Sequence, residues 1–346
     1  MSEVTYGILE YAKTYNIEDS SEIYRIIERK NTSFILRNQF GEIIKADTNN
    51  SNEEYVVGDY VRIAVKEKNI YLTDLCKRSS LITRASSSTK KSFSYNSDEQ
   101  LLAANVDQIF ILISADQRFT LSKFERYLLT FNCMAEDIKI IISKTDFIEK
   151  TDAIKSKILE IYPNIKIYES SIFDDKKMKN IAFLFLKNQT SVLIGASGAG
   201  KSTLINYLIG EQATITQEVR SDGKGKHTTT SSSLFYLDRT SSYIIDTPGF
   251  KTISTHRKTS DKVLFDKIYN LSKKCKFNDC NHINEPGCAI QKALDNGTLS
   301  PQLYERYLES KEKSIRYEKF LKSKSRNKKK KKKMKIITNS GVKNKI

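Results

Sequence analysis

The chain has 346 residues, enough for two or three domains that each bury a modest core, and its formal net charge is +17. Most of this charge is local, because residues 311–346 hold 16 Lys and Arg against 2 Asp and Glu. Five cysteines are too few for a disulfide framework, the N-terminus lacks a secretory pattern, and no apolar run reaches the roughly 18 residues of a membrane helix. These features exclude a disulfide scaffold and a membrane protein, and predict a soluble cytoplasmic chain.

Residues 22–75 alternate apolar and polar positions in five short runs, with breaks such as Gly41 and residues 47–52 between them. Alternation with a period of two is typical of strands that bury one face. Five such strands predict a small barrel of the OB type. The Ser- and Lys-rich stretch 84–97 has no periodicity, which predicts a linker or mobile loop.

From Val106 the pattern changes to buried strands that alternate with helices. The predicted strands cover residues 109–113, 138–142, 165–168, 191–194 and 243–245, and the predicted helices cover residues 121–134, 151–161 and 175–187. Such alternation predicts an α/β domain with a mainly parallel sheet and helices on both faces. Beyond residue 250 the chain becomes helical, and it ends in a tail with six consecutive lysines, 328–333, that we expect to be disordered.

A complete phosphate-binding loop follows the strand 191–194. It consists of Gly195, Ala196, Ser197, Gly198, Ala199, Gly200, Lys201, Ser202 and Thr203. Glycines keep side chains away so that backbone N–H groups at a helix N-terminus can surround phosphates. Lys201 is expected to reach the β- and γ-phosphates, and the Ser202 hydroxyl is expected to bind Mg²⁺. The loop predicts a nucleotide-binding P-loop protein.

A second phosphate motif, Asp246-Thr247-Pro248-Gly249, ends the strand 243–245. In GTPases such an aspartate holds Mg²⁺ through water, and the glycine N–H meets the γ-phosphate. The remote alternative is an ATP-driven enzyme, since ABC-type ATPases share the P-loop. Their Leu-Ser-Gly-Gly-Gln signature is absent from the sequence.

The base-reading residues are predicted in Ser143-Lys144-Thr145-Asp146, after the strand 138–142. The Asp146 carboxylate accepts from guanine N1 and N2, which distinguishes GTP from ATP. Ser143 stands where GTPases normally have Asn. Ser170 and Ser171, after the strand 165–168, form a short candidate loop for a further contact with guanine.

The order of these motifs along the chain differs from that of most GTPases. The base reader and the base loop precede the P-loop and the Asp246 motif, so the domain is predicted to be circularly permuted. Permutation keeps the sheet intact but moves the chain ends. The Asp246 loop therefore continues directly into the C-terminal region, which the nucleotide state is expected to move.

The segment 223–230, Gly-Lys-Gly-Lys-His-Thr-Thr-Thr, is the predicted switch loop, in which Thr228 or Thr229 closes on Mg²⁺. Phe250 follows Gly249 where many GTPases have a catalytic Gln, so slow, partner-stimulated hydrolysis is expected. Together with Lys201, His227 is the catalytic candidate, placed to orient water. Binding of RNA and stabilisation of the loop are open alternatives for His227.

A Cys and His cluster follows residue 270. Cys275, Cys280, His282 and Cys288 supply three thiolates and an imidazole within 14 residues. This donor set suits one closed, tetrahedral, structural Zn²⁺ site. Buried cysteines without a ligand are the alternative.

Together, these motifs resemble one family, the circularly permuted small-ribosomal-subunit biogenesis GTPases called RsgA or YjeQ. The similarity covers about residues 20–325. Its elements are Val57-Gly58-Asp59-Tyr60-Val61, residues 103–108, the Lys-x-Asp motif, the P-loop, residues 223–230, Asp-Thr-Pro-Gly-Phe and the cluster 275–289. Departures are Ser143, the lysines Lys224 and Lys226 where Arg is usual, and the lysine-rich tail.

The resemblance implies an N-terminal OB-type barrel, a permuted GTPase domain and a C-terminal helical zinc-binding domain. With the composition it gives five segments: 1–75, linker 76–100, 101–252, 253–325 and tail 326–346. It implies a late assembly factor that binds the small ribosomal subunit and its rRNA with GTP, hydrolyses GTP to GDP when the ribosome stimulates it, and is released. A monomer is the default expectation, which the sequence does not test. The alternative is an RNA-binding assembly module whose nucleotide is a structural ligand. The tail either binds rRNA or is a solvated extension.

Overall fold

The computed structural model describes two compact units, residues 1–255 and residues 256–346. Within them it describes residues 4–30, 33–48, 53–85, 99–131, 137–210, 232–247, 262, 264–312, 314–316, 318–319 and 322–323. No helix in these ranges has the length and apolar character needed to cross a membrane. The finer boundaries at residues 75, 100, 252 and 325 stay predictions.

Five strands form the predicted N-terminal barrel. They are β1 (Tyr24–Arg29), β2 (Ser33–Arg37), β3 (Ile43–Thr48), β4 (Tyr60–Lys66) and β5 (Asn69–Leu75). The pairing order is β1-β2-β3-β5-β4, and β4 pairs back to β1. Only β3 and β5 run in parallel. This closed five-stranded arrangement confirms the predicted OB-type barrel.

The stretch predicted as a linker contains part of a two-stranded sheet. The strands β6 (Leu81–Ala85) and β7 (Glu99–Ala104) pair antiparallel, with Leu81 opposite Ala104 and Ala85 opposite Glu99. The structure therefore differs from the predicted linker 76–100, because cross-strand pairing fixes both of its flanks. Residues 86–98 lie outside the described part of the chain.

A second group of strands extends the sheet. It contains β8 (Gln108–Ser114), β9 (Asp137–Ser143), β10 (Ile167–Ser170), β11 (Thr190–Gly195), β12 (Ser233–Leu237) and β13 (Ser242–Asp246). Their order is β10-β9-β8-β11-β13-β12. The first five strands are parallel, and β12 joins β13 antiparallel. The mainly parallel α/β sheet is confirmed, and β12 is a strand that the sequence analysis did not predict.

The described helices of the first unit are α1 (Ile8–Thr14), α2 (Leu121–Phe131), α3 (Ile148–Ile161), α4 (Asp175–Ala182) and α5 (Lys201–Ile209). Each of the last four follows a parallel strand. The buried face of α2 shows the helical spacing on which its prediction depended, with Phe124, Tyr127, Leu128 and Phe131 all below 7% exposure. The helix predicted at 175–187 ends at Ala182, since Leu184 N and Phe185 N donate three residues back instead of four.

The barrel and the α/β sheet join through one strand pair. β1 lies antiparallel to β12, with Glu28 opposite Ser233, and Arg29 N donates to Ser232 O at 3.4 Å. Both groups of strands therefore belong to one eleven-stranded sheet.

A buried arginine reinforces this junction. Arg25 of β1 is 1% exposed, and its guanidinium donates from Nη1 to Tyr6 O (3.0 Å) and from Nη2 to Thr190 Oγ1 (2.7 Å). The same group lies 5.0 Å from the ring centre of Tyr60 and 5.2 Å from that of Tyr243. One side chain thus connects the N-terminal segment, the barrel and the first residues of two α/β strands, through hydrogen bonds and cation–π contacts.

The loop before β4 forms a further contact between barrel and α/β sheet. Asp59 is fully buried, where its carboxylate accepts Val56 N and both Nε and Nη2 of Arg78 at 2.7–2.8 Å. Burial raises the pKa of the Asp59 carboxyl, and the Arg78 guanidinium opposes this shift. Asn105 Nδ2 donates to Gly58 O at 2.9 Å, which fixes the loop against the start of the α/β domain.

In the second unit, the helices α6 (Asp266–Ser272) and α7 (Ala289–Asp295) flank the Cys and His segment. Residues 301–312 are also helical. Ile268, Ile290 and Leu299 are fully buried, and the ring of Tyr307 packs edge-on against Phe265. The predicted helical character of this region is confirmed.

Gly58 provides a test of the junction between barrel and α/β sheet. Its φ is +93°, and a Cβ there would overlap the carbonyl oxygen of Ala104. We expect Gly58→Ala to lower the free energy of unfolding by about 3 kcal/mol, from backbone strain plus the clash. Gly41, with φ +80° and only Arg37 Nη1 at 3.8 Å, is the matched control. Gly41→Ala should cost about 1 kcal/mol. Equal losses in urea denaturation would contradict this account.

Candidate nucleotide and metal sites

The predicted nucleotide-binding residues lie at one edge of the sheet. β9, β11 and β13 are parallel and end at Ser143, Gly195 and Asp246. Because carboxyl ends of parallel strands meet at a common edge, motifs separated by about a hundred residues in sequence come together. The P-loop, the start of the base-reading segment and Asp246 therefore lie along one edge of the sheet.

The P-loop has the backbone form that phosphate binding needs. Gly198 and Gly200 have φ values of +75° and +87°, which favour glycine. A Cβ at Gly195 would lie 2.8 Å from Leu112 O, so this position also excludes a side chain. Helix α5 begins directly afterwards at Lys201, with Leu204 N donating to Gly200 O at 2.9 Å. The N–H groups before this first helical bond are the donors that an anion would use.

The Lys201 side chain folds back onto the P-loop and contacts its backbone carbonyl groups. Its Nζ donates to Gly195 O at 2.8 Å and to Ala196 O at 2.9 Å. Burial lowers the pKa of the Lys201 ammonium, and the Asp246 carboxylate opposes this shift. Ser202 and Thr203 are exposed. An exposed hydroxyl at Ser202 and a carboxylate at Asp246 are oxygen donors of the type that Mg²⁺ prefers, so these residues fit that ion.

Gln117 contributes to the P-loop although the sequence analysis did not identify it. Its Nε2 donates to Ser197 O at 2.8 Å and lies 3.1 Å from the position of a Cβ on Gly198. The residue lies in the loop after β8. No local sequence signal marks this role, because the contact spans 80 residues.

The two predicted base-contact segments meet. Thr145 N donates to Ser170 O at 3.2 Å, and Ser171 Oγ donates to Asp146 Oδ1 at 2.9 Å. Asp146 is exposed, whereas Ser143, Ser170 and Ser171 are buried. The Asp146 carboxylate is thus accessible and is oriented by a neighbouring hydroxyl.

Lys144 has φ +58°, and its Nζ pairs with Asp116 Oδ2 at 2.6 Å. This lysine and the Ser114 hydroxyl hold the pKa of Asp116 below its usual value. The ion pair links the base-reading segment to the loop after β8, which also contains Gln117.

Lys177 of α4 contacts the base-reading segment through Thr145. Its Nζ lies 3.0 Å from Thr145 Oγ1 and 2.8 Å from Glu169 Oε2, and Lys155 Nζ donates to Glu169 Oε1 at 2.5 Å. The two lysines, Lys155 first, lower the pKa of Glu169. This network of charged groups was not predictable from a motif, since its members lie on three different elements.

The cysteine and histidine cluster in the second unit is compact. The ligand atoms of Cys275, Cys280, His282 and Cys288 all lie within 4.8 Å of one another. His282 Nδ1 is 3.6 Å from Cys275 Sγ and 3.8 Å from Cys288 Sγ, and the two sulfurs are 4.0 Å apart. Tetrahedral bonds of about 2.3 Å to sulfur and 2.0 Å to nitrogen place ligand atoms roughly 3.5 to 3.8 Å apart. The four side chains therefore fit a zinc ion.

Local backbone contacts hold this cluster. The Glu285 carboxylate accepts the N–H groups of Asn281, Ile283 and Asn284 at 3.0–3.2 Å, and Tyr304 OH donates to His282 O at 2.6 Å. Burial lowers the pKa of His282, which favours the neutral imidazole that a metal needs. Burial and the neighbouring Cys288 and Cys275 thiols raise the pKa of Cys280 to about 11. A bound cation would reverse that preference for the protonated thiol.

Several predicted site residues lie outside the described part of the chain. They are the switch loop 223–230 with His227, Thr228 and Thr229, and Gly249 of the second phosphate motif. Their roles stay predictions. Thr247, two residues before Gly249, is described and is 2% exposed.

Comparison with known proteins decides the family. The family model described as RsgA GTPase matches residues 75–256. A relative from Vibrio parahaemolyticus serotype O3:K6, named small ribosomal subunit biogenesis GTPase RsgA 2, is 33% identical over 304 residues, which is 87% of this chain and 81% of the relative. The chain belongs to the RsgA GTPase family. As a member of this family it is a GTP phosphohydrolase.

Further comparisons agree with this assignment. A relative from Oceanobacillus iheyensis, named small ribosomal subunit biogenesis GTPase RsgA 1, is 34% identical over 310 residues, which is 86% of this chain and 87% of the relative.

A model of a different family, described as ABC transporter, also matches, over residues 178–339, a range that includes the P-loop. The motifs that follow the P-loop here are those of the RsgA GTPases, without the ABC signature.

Solved structures show the same fold. The crystal structure of YjeQ from Thermotoga maritima matches with a TM-score of 0.60 at 23% identity, over 84% of this chain and 96% of that one. YloQ, described as a circularly permuted GTPase, matches with a TM-score of 0.58 at 24% identity, over 83% and 92%. The predicted permutation is confirmed, and it explains why β8 to β10 precede the P-loop strand β11.

Proposed function

We propose that this GTPase acts in the late assembly of the small ribosomal subunit. The names of its relatives, small ribosomal subunit biogenesis GTPase RsgA, support a role in the biogenesis of that subunit. It binds the subunit and its rRNA with GTP, hydrolyses GTP to GDP when the subunit stimulates it, and is then released. The observation that carries the proposal is the meeting of the P-loop, Asp246 and Asp146 at one sheet edge. A cytoplasmic, monomeric protein is part of this proposal.

The proposal assigns a role to each predicted site residue. The P-loop N–H groups and Lys201 hold the phosphates, and Ser202 and Asp246 hold Mg²⁺. Asp146 reads guanine, and Ser171 orients it. His227 remains the proposed group that orients water, and Thr228 or Thr229 the proposed Mg²⁺ ligand of the switch loop. Bound Mg²⁺ supplies charge that stabilises the transferring phosphoryl group.

The deciding experiment is GTP and ATP hydrolysis by the full chain with and without purified small ribosomal subunits. GTP turnover should rise on addition of subunits, and ATP turnover should stay low. GTP turnover that small subunits do not increase would refute the assembly role.

The phosphate site is tested by Lys201→Ala. Loss of the half-buried Lys201 ammonium, which is proposed to bind the phosphates, should reduce GTP affinity by roughly 100-fold and abolish hydrolysis. Lys187→Ala, which changes an exposed lysine before β11, is the matched control and should change neither. If Lys201→Ala removed hydrolysis but preserved function in cells, the nucleotide would be a structural ligand, as the alternative holds.

Base specificity is tested by Asp146→Asn. Guanine N1–H and N2–H₂ lose their carboxylate acceptor, so GTP affinity should fall by roughly 100-fold. Affinity for XTP should rise, because the new amide can donate to the carbonyl at C2 of xanthine. Asp152→Asn, on the exposed face of α3, should leave both affinities unchanged. Unchanged preference for GTP over XTP in the Asp146 variant would assign base reading to another residue.

We also propose one structural Zn²⁺ per chain, held by Cys275, Cys280, His282 and Cys288. Cys288→Ser should remove the zinc that elemental analysis detects, and should lower the thermal stability of the second unit, because metal binding contributes to its folding. Cys76 is a free cysteine outside the cluster. Cys76→Ser should retain the zinc, and zinc retained by Cys288→Ser would contradict the assignment.

A further inference from the structure

We propose that Ser143 is a positioning residue that connects the base-reading segment to the P-loop and donates no hydrogen bond to the guanine base. The proposal rests on the proposed role of Asp146 in base reading. It reverses the sequence expectation that Ser143 itself binds nucleotide.

The hydroxyl of Ser143 faces the P-loop. Ser143 is the last residue of β9 and is 5% exposed. Its Oγ donates to Ala199 O at 2.8 Å, and the other carbonyl within reach, Ile113 O, is farther away at 3.4 Å. Ala199 is 1% exposed and lies between Gly198 and Gly200. The contact thus joins two parts of the nucleotide site that are 56 residues apart.

The backbone of Ser143 is fixed as well. Its carbonyl accepts Ala115 N at 2.9 Å, and the residue stands in register with Ser114 on one side and Ser170 on the other. A Cβ on Gly200 would lie 3.8 Å from both Cβ and Oγ of Ser143. The hydroxyl is therefore held beside the P-loop backbone from a rigid strand end.

Ser143 has no second proton that it could donate to the guanine base. A serine hydroxyl has one proton, whereas an asparagine amide has two N–H donors. The single proton of Ser143 is used on Ala199 O. Guanine presents acceptors at N7 and O6, and contact with either requires a donor. One hydroxyl proton cannot serve both Ala199 O and a guanine acceptor.

Two consequences follow for nucleotide binding. Recognition of guanine depends on the Asp146 carboxylate, which the Ser171 hydroxyl orients, and N7 is not read from position 143. The distance between base site and phosphate site depends on the Ser143 contact. Loss of the hydroxyl should therefore weaken every guanine nucleotide equally.

The test compares binding of GDP and 7-deaza-GDP, in which carbon replaces N7, by the full chain. The wild type should bind both within about twofold. Ser143→Ala should weaken both by the same factor, about fivefold or more, because Ala199 O loses its donor. Ser143→Asn should retain a donor for Ala199 O and supply a second N–H that can donate to guanine N7. This variant should therefore bind GDP more tightly than 7-deaza-GDP.

Ser242→Ala is the matched control. Ser242 is fully buried and makes one local hydroxyl contact, with Thr240 at 2.7 Å, at the start of β13 and away from the P-loop. Both alanine variants should lose similar stability in thermal unfolding, but only Ser143→Ala should lose nucleotide affinity. If Ser143→Ala lost stability alone, the residue would be merely structural and the proposal would be wrong.

Two further results would overturn the proposal. A wild type that binds 7-deaza-GDP tenfold more weakly than GDP, with Ser143→Ala removing that difference, would show that the hydroxyl contacts N7 and would overturn the proposal. A wild type that binds ADP as tightly as GDP would instead refute base reading by Asp146, and the Ser143 inference with it. The two failures are distinguished by the ADP measurement.

Discussion

The parallel pairing of β10, β9, β8, β11 and β13 is the constraint on which the nucleotide site depends. Parallel strands end at a common edge, so the chain can place a P-loop, a base reader and a magnesium ligand together in any sequence order. Circular permutation therefore changes which segments are connected without changing which strands are neighbours. The side chains at this edge then complete the site through contacts between loops, such as Gln117 with Ser197 and Lys144 with Asp116.

The opposite end of the same strands meets the barrel. Thr190 and Tyr243, near the starts of β11 and β13, both contact the buried guanidinium of Arg25. Arginine suits this position because its planar group can donate in several directions while it stacks on aromatic rings. The strands that end in the P-loop and in Asp246 are thus supported at their beginnings by a barrel residue.

Features that depend on local sequence were predictable. The P-loop, Asp246 and the Cys275 to Cys288 spacing are short patterns whose chemistry is contained in adjacent residues, and the helix α2 followed from its apolar spacing. Long-range features were not predictable in this way. Nothing around Arg25, Gln117 or Lys177 indicates a partner 32 to 165 residues away. The short strand β12 was missed because a run of five residues fits several structures. Ser143 was predicted from its position alone, and only the structure shows that its hydroxyl contacts Ala199 O.

The pairing of β1 with β12 has a thermodynamic consequence. Ser232 and Ser233, whose backbones meet Arg29 and Glu28 of the barrel, come directly after the range that includes the predicted switch loop. A displacement of β1 that preserved this pairing would therefore also displace Ser232 and Ser233. If a nucleotide favours one position of Ser232 and Ser233, it changes the affinity of the barrel for a partner that favours a different position. By linkage, that partner then changes the affinity for the nucleotide by the same factor. Barrel and nucleotide site would then form a single reciprocal binding equilibrium.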